Sequence, residues 1–387
     1  MKRIVLSAIL VIFVYGMIAA MLGALLPVFD LTARQKGIIA LWQAVGLIIA
    51  SLSAGPIVDR YGTRDALLTG LGLISATLYT LPSAAGYVSI TVCFFALGFG
   101  GGLIVTGANA LASQISQKRR GQILNFLNLF FGLGLMAAPF LAANILSGNA
   151  VNLCYLEAGL ATVAFAVQIV SPIPPRSGSH AFQPAEARQL LRRTELWLFS
   201  LLLFLYVACE VGFSNWLAAY LISRGIPRTA ALNVLSLGFA FGLLAGRVTA
   251  SALLVRVSGI TVTLACSVLM TITTFLVLRI SDARLAAVTV FCAGFAMAPV
   301  FPTTLAMIGD TFPAMTATAM AIAITSGWVG LAASSPIIGA IAGPGSQNLG
   351  TALLLFPAAS VLMILVNLSV RQKLRKALIR RRLTACL

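Results

Sequence analysis

Charge is what this sequence has least of. Of its 387 residues only 9% are Asp, Glu, Lys or Arg, nine of them acidic, and the sole histidine is His180. A Ser-His-Asp arrangement or a histidine-based metal site therefore lacks its parts, and no enzyme activity, metal or cofactor is expected. The six cysteines, at 93, 154, 209, 266, 292 and 386, show no CxxC spacing and fall in apolar runs or the C-terminal tail. That pattern excludes a disulfide framework or a zinc site. Ten-residue segments of alternating polarity are missing as well, which excludes a membrane β-barrel.

What remains is apolar. The chain is 60% hydrophobic with a mean hydropathy of +1.01, far outside the range of soluble domains. Runs long enough to cross ~30 Å of hydrocarbon as helices recur throughout. They predict an all-α polytopic membrane protein with twelve spans, at 4–28, 36–57, 66–84, 87–115, 121–146, 151–171, 195–222, 230–254, 259–280, 284–309, 314–342 and 349–370. The first run is too long and uninterrupted for a cleaved signal.

The net charge of +17 is distributed over alternate loops, as the positive-inside rule requires, so nucleic acid is not the expected partner. With the N-terminus cytoplasmic, that side receives 19 of the 26 basic residues and the outside 6, while Arg247 lies within a span. Both termini are then cytoplasmic, in an inner or plasma membrane. Residues 172–194, "PIPPRSGSHAFQPAEARQLLRRT", concentrate Pro, Ser and charge and read as a cytoplasmic linker. It separates a six-helix bundle at 1–171 from a second at 195–370, with a basic cytoplasmic tail at 371–387. Two six-helix bundles are the arithmetic of a transporter.

Between the second and third spans, Gly55, Asp59, Arg60, Gly62 and Arg64 resemble the G-x-x-x-D-R-x-G-x-R loop signature of the major facilitator superfamily. The resemblance implies the two-bundle fold of that family. It also implies a conformational gate, in which the Asp and Arg of a short charged turn contact the neighbouring bundle in one state only. Further stretches are similar to the fucose permease-like sugar:proton symporters: "TGANAL" (106–111), "LNFLNLFFGLGLMAAP" (124–139), "FLYVACEVGFSNWLAAYL" (204–221), "GFAFGLLAGRVTASALL" (238–254) and "GFAMAPVFPTT" (294–304). Two departures stand out. Val105 occupies the place of that group's acidic residue on span four, and Asn128 replaces a histidine of span five.

Topology assigns most of the acidic residues to loops and span ends. Glu157, about two turns into span six from the outside, is expected to reach water or headgroups. Glu210 is left alone at depth in span seven, where an unpaired carboxylate costs roughly 2.5–3.5 kcal/mol on insertion scales. Tyr206, Glu210 and Ser214 follow at i, i+4, i+8 and form one polar stripe. Two readings stay open. Either Glu210 and Arg247 of span eight form a fixed pair that pins the two helices, or Glu210 lines a cavity and exchanges a proton or contacts substrate.

Thr106 and Asn109 on span four and Asn128 on span five supply hydroxyl and amide groups suited to a sugar, with Tyr206 and Trp216 available to stack on its apolar face. In the family spans one, four, seven and ten line the cavity. That arrangement implies Tyr15, Asn109, Glu210, Asn215 and Thr303 as lining residues.

These features predict a secondary transporter working by alternating access. The expected activity is proton-coupled uptake of a sugar or similar polar organic solute by a monomer in the lipid bilayer, with Glu210 as the coupling group. The rivals are an efflux antiporter for hydrophobic compounds, which Gly134 to Pro139 on span five faintly resembles, and an uncoupled uniporter, which Val105 favours.

Overall fold

Twelve helices long and apolar enough to cross a membrane make up the computed structural model of the chain. It describes residues 2–115, 120–171, 190–343 and 347–385, with backbone alone at several of them, notably 54–61, 109–110, 112–115 and 120–126. The spans are one, Leu6–Leu25; two, Ala33–Ser53; three, Thr63–Ser83; four, Gly86–Ala108; five, Leu127–Asn144; and six, Ala150–Val170. They continue as seven, Thr194–Ser223; eight, Arg228–Ala250; nine, Gly259–Val277; ten, Ala283–Thr311; eleven, Ala319–Ala342; and twelve, Leu349–Lys373. Twelve crossings bring the two ends of the chain to the same face. Most of the 172–194 linker lies outside the described residues.

Local chemistry sets several of the helix ends. Asn149 caps span six by accepting from the backbone N–H of Val151 and Asn152, and Asp282 caps span ten by accepting from Arg284 and Leu285. Between spans two and three the helix continues as far as Tyr61, and the connection is Gly62 alone, at φ 98°. The expected glycine-held charged turn is therefore shorter than its signature suggests. Only a residue free of a Cβ takes that backbone without strain. Span ten breaks at Ala298–Pro299 into Ala283–Met297 and Val300–Thr311, because Pro299 and Pro302 have no N–H for the helical ladder.

Helix pairing repeats between the halves. Span two packs on four as eight packs on ten, one on five as seven on eleven, and three on six as nine on twelve. The close approaches repeat too. A Cβ at Gly98 of span four would strike the carbonyl oxygen of Gln43 in span two, and one at Gly294 of span ten would strike that of Phe239 in span eight. Small residues at such crossings let backbones touch, which is how helices associate without a hydrophobic force between them. Buried polar groups add to this cohesion within each half. Thr263 Oγ1 of span nine donates to Asn367 Oδ1 of span twelve at 2.6 Å, and Asn367 Nδ2 donates to Ser267 Oγ at 3.1 Å. Ser7 of span one bonds Gln168 of span six.

The halves meet through spans one and seven, two and eleven, and five and eight. Several of these contacts lie toward the span ends opposite the chain termini. There a Cβ on Gly23 would come 2.5 Å from the Ser214 carbonyl oxygen, and one on Gly37 would come 2.5 Å from that of Ser335. Asn144 Nδ2 of span five donates to Asn233 Oδ1 of span eight at 2.6 Å, and Asn233 Nδ2 returns a bond to Asn144 Oδ1 at 3.3 Å. Ser236 Oγ donates to the Met136 carbonyl at 2.7 Å. Asn233 and Ser236 adjoin an irregular stretch, since Val234–Ala240 winds as a π-helix inside span eight.

Candidate functional site

Glu210 lies sixteen residues beyond Thr194, the start of span seven, or about 24 Å along a helix rising 1.5 Å per residue. Arg247 belongs to the opposite-running span eight, close to its terminus-side end at Ala250. Side chains lean toward the N-terminus of their own helix. In two antiparallel helices that tilt brings Glu210 and Arg247 toward one another. Arg247 Nη2 stands 3.7 Å from Glu210 Oε1, with 25% and 16% of the two side chains exposed.

The pair is an ion pair without a direct hydrogen bond, since charge-assisted N–H to oxygen bonds close to about 2.7–2.9 Å. The guanidinium also crosses between the halves, with its carbon 5.9 Å from the ring centre of Phe131 in span five. Phe131 in turn lies 5.5 Å from the Tyr15 ring of span one, and Tyr15 covers Gly101 of span four. On the other flank the Tyr206 ring, one turn before Glu210, is 6.3 Å from Phe301 of span ten. The Tyr206 hydroxyl is buried and interacts with the Glu210 carboxylate. Rings from both halves therefore flank one carboxylate and one guanidinium.

The other residues singled out from the sequence are distributed around this centre. Asn128 precedes Phe131 by three residues, shares its helix face and is exposed. Thr106 is half-buried. Asn215 and Trp216 are buried, and the Trp216 indole N–H has no hydrogen-bond partner. Thr303 is buried with its hydroxyl unpartnered and its methyl against Gly259 of span nine, a contact that leads away from Glu210. The side chains of Asn109, Asp59 and Arg60 lie outside the described residues, and Gly55 is described only as part of the helical backbone Ala33–Tyr61. Arg64 donates to the Ile169 carbonyl of span six, inside its own half.

One expectation is overturned. Glu157 does not reach water: it is 1% exposed and both carboxylate oxygens are buried without a hydrogen-bond partner. Depth along the span was read correctly, but the helix turns this position toward the protein. Phe131 and Phe301 were missed for the opposite reason, because a phenylalanine in an apolar run carries no signal of which way it faces. Among the described residues no group of three or more His, Cys, Asp or Glu could hold a metal ion.

The repeated pairing of twelve helices across two halves defines the class: an α-helical transporter fold built from two pseudo-symmetric bundles. The chain belongs to the Major Facilitator Superfamily, which it matches over residues 4–335. It thus has the family and the helical architecture of MFS-type membrane transporters. It is similar to Bypass of stop codon protein 6 of Saccharomyces cerevisiae, 23% identical over 280 residues covering 64% of this chain and 56% of that protein. It is also similar to the 4-hydroxybenzoate transporter PcaK of Pseudomonas aeruginosa, 26% identical over 180 residues covering 44% of this chain and 40% of that one. The chain thus spans about half the length of the curated relatives it matches. Among solved structures the nucleoside transporter NupG has a TM-score of 0.79 at 14% identity, covering 95% of this chain and 98% of its own. The D-xylose-proton symporter has a TM-score of 0.77 at 17% identity, covering 95% and 97%. At those identities the structures speak for the fold.

Proposed function

We propose that the protein is a proton-coupled symporter that carries a small polar organic solute by alternating access through the interface between its halves. The observation that carries this reading is the contact of Arg247 with Glu210 in its own half and with Phe131 in the other. A rearrangement of the halves must alter that contact, and protonation of Glu210 must alter it as well. A ligand or proton shifts a conformational equilibrium only through such a differential interaction.

The remaining assignments follow from this reading. Tyr15, Thr106, Asn109, Asn128, Asn215, Trp216 and Thr303 serve as solute-binding groups, and Gly55, Asp59, Arg60, Gly62 and Arg64 serve as the gate at the end of span two. With the positive-inside charge bias, the chain termini are cytoplasmic. The Asn144–Asn233 pair and the Gly23 and Gly37 contacts then seal the outer end in an inner or plasma membrane. A D-xylose symporter and a 4-hydroxybenzoate transporter among the similar proteins support a small organic solute and leave its charge open.

The test is proton entry into proteoliposomes holding a pH-sensitive dye, followed as sugars and organic acids are added outside. Solute-dependent acidification that disappears in Glu210→Gln is expected. Acidification by no solute, or equal acidification by Glu210→Gln, would sink the symport reading.

A further inference from the structure

The geometry points to a solute that carries a carboxylate: Arg247 exchanges the Glu210 carboxylate for that of the solute when Glu210 takes up a proton. This inference rests on the proton-symport reading above and names the solute class for the same site.

The argument is one of charge. An ionised Glu210 and Arg247, 3.7 Å apart, sum to zero charge. A proton on Glu210 removes the only carboxylate paired with Arg247 among the described residues. A neutral sugar arriving with that proton would leave the three-quarters-buried arginine uncompensated, a costly arrangement because a cation largely withdrawn from water needs its partner. A monocarboxylate restores the balance. The loaded site then holds a neutral acid at Glu210, the guanidinium and the solute's carboxylate, and again sums to zero. One proton and one monoanion cross together, so no net charge moves.

Among the described residues, no other group beside the pair changes this sum. The other titratable groups interacting around Glu210, among the described residues, are Tyr206, on its own helix, and Cys266 of span nine, which interacts with Tyr206. From the facing half come Phe131 and Tyr15, and from span ten comes Phe301. None is a cation or a second carboxylate.

Arg247 is also poised for a new partner. It makes no hydrogen bond to Glu210 at 3.7 Å, and its planar fork of N–H donors matches a carboxylate bidentately. The Phe131 ring lies beside the guanidinium and the Tyr206 ring packs near Phe301 of span ten, so aromatic surface adjoins the pair in both halves.

The experiment uses the purified full-length protein with benzoate, phenylacetate and lactate, each beside its uncharged amide, and with D-xylose. Thermal shift at pH 6 and pH 8 reads binding, because a ligand of the folded state raises Tm by mass action. At least one carboxylate is expected to raise Tm, more at pH 6, while its amide and D-xylose do not. Arg247→Gln should bind that carboxylate roughly tenfold to a hundredfold more weakly, with Arg247→Lys recovering part of the loss. Glu210→Gln, which imitates the protonated acid, should bind it at pH 8 as tightly as the unaltered protein does at pH 6.

Stabilisation by an amide or by D-xylose equal to that by any acid overturns the inference, as does silence from all three acids. Unchanged carboxylate binding in Arg247→Gln overturns it too. The proteoliposome assay, read against protein-free vesicles to subtract diffusion of the undissociated acids, separates this failure from that of symport. Glu210-dependent proton entry driven by D-xylose would leave symport standing and remove the carboxylate.

Discussion

The Arg247 guanidinium extends from span eight across the boundary between the halves to lie 5.9 Å from the centre of the Phe131 ring. It is also 3.7 Å from Glu210 in its own half. One side chain therefore joins a charge in one bundle to a ring in the other, and four predictions start from this interface and its surroundings.

Removing either charge of the Glu210–Arg247 pair should cost more than removing both. Arg247→Gln alone strands the carboxylate, and Glu210→Gln alone strands the guanidinium, whereas the double variant strands neither. Chemical denaturation in detergent should give a coupling energy on the order of 1 kcal/mol for these partly exposed groups. Additive single effects would mean that the pair contributes nothing.

Asn144 and Asn233 exchange side-chain hydrogen bonds between spans five and eight. In a background free of the native cysteines, Asn144→Cys with Asn233→Cys should form a disulfide under mild oxidation, arrest solute uptake and regain it on reduction. Uptake unaffected by a complete cross-link would show that the halves need not separate at this end.

Gly37 of span two faces the Ser335 carbonyl so closely that a Cβ would stand 2.5 Å from it. Gly37→Leu should wedge that end apart. A maleimide reagent that cannot cross the membrane should then label a cysteine placed at Asn144 faster than in the parent protein. Labelling at the parent's rate would mean that the helices absorb the added bulk without opening.

Glu157 has both oxygens buried and without hydrogen-bond partners. Its burial is not offset by hydrogen bonds, and replacing an unsatisfied polar group by an apolar one of similar size relieves about 1–3 kcal/mol. Glu157→Leu should therefore raise Tm with solute uptake kept. A raised Tm with uptake abolished would instead assign Glu157 to proton movement.

The twelve spans were legible because lipid contact and protein burial both demand apolar residues, so the runs are long and their ends carry the charges. Glu210 was legible by its isolation and Arg247 as a candidate partner, but whether the two meet was left open, because it depends on how the two helices face one another. Facing was not legible. Neither Glu157 nor Phe131 carries a local sign of which side of its helix faces the protein, since span six has polar groups at Asn152, Thr162 and Gln168 as well and span five is rich in phenylalanine and leucine. Gly62 marked the turn, but the extension of span two to Tyr61 depends on packing that no local pattern records. The π-helical stretch Val234–Ala240 left no mark at all, since its i→i+5 bonding answers to neighbouring helices and not to composition.

That stretch ties the two ends of span eight to one another. Asn233 lies just before it and Arg247 seven residues after it. In regular α-helix, removing one residue turns everything beyond it by about 100°. A change of winding in this stretch would likewise rotate Arg247 relative to Asn233. The span is then a shaft with a collar, whose winding fixes the angle between the Asn233 clasp and the Arg247 charge. An observer at Asn144 and one at Glu210 would register the same event as a turn of the same rod.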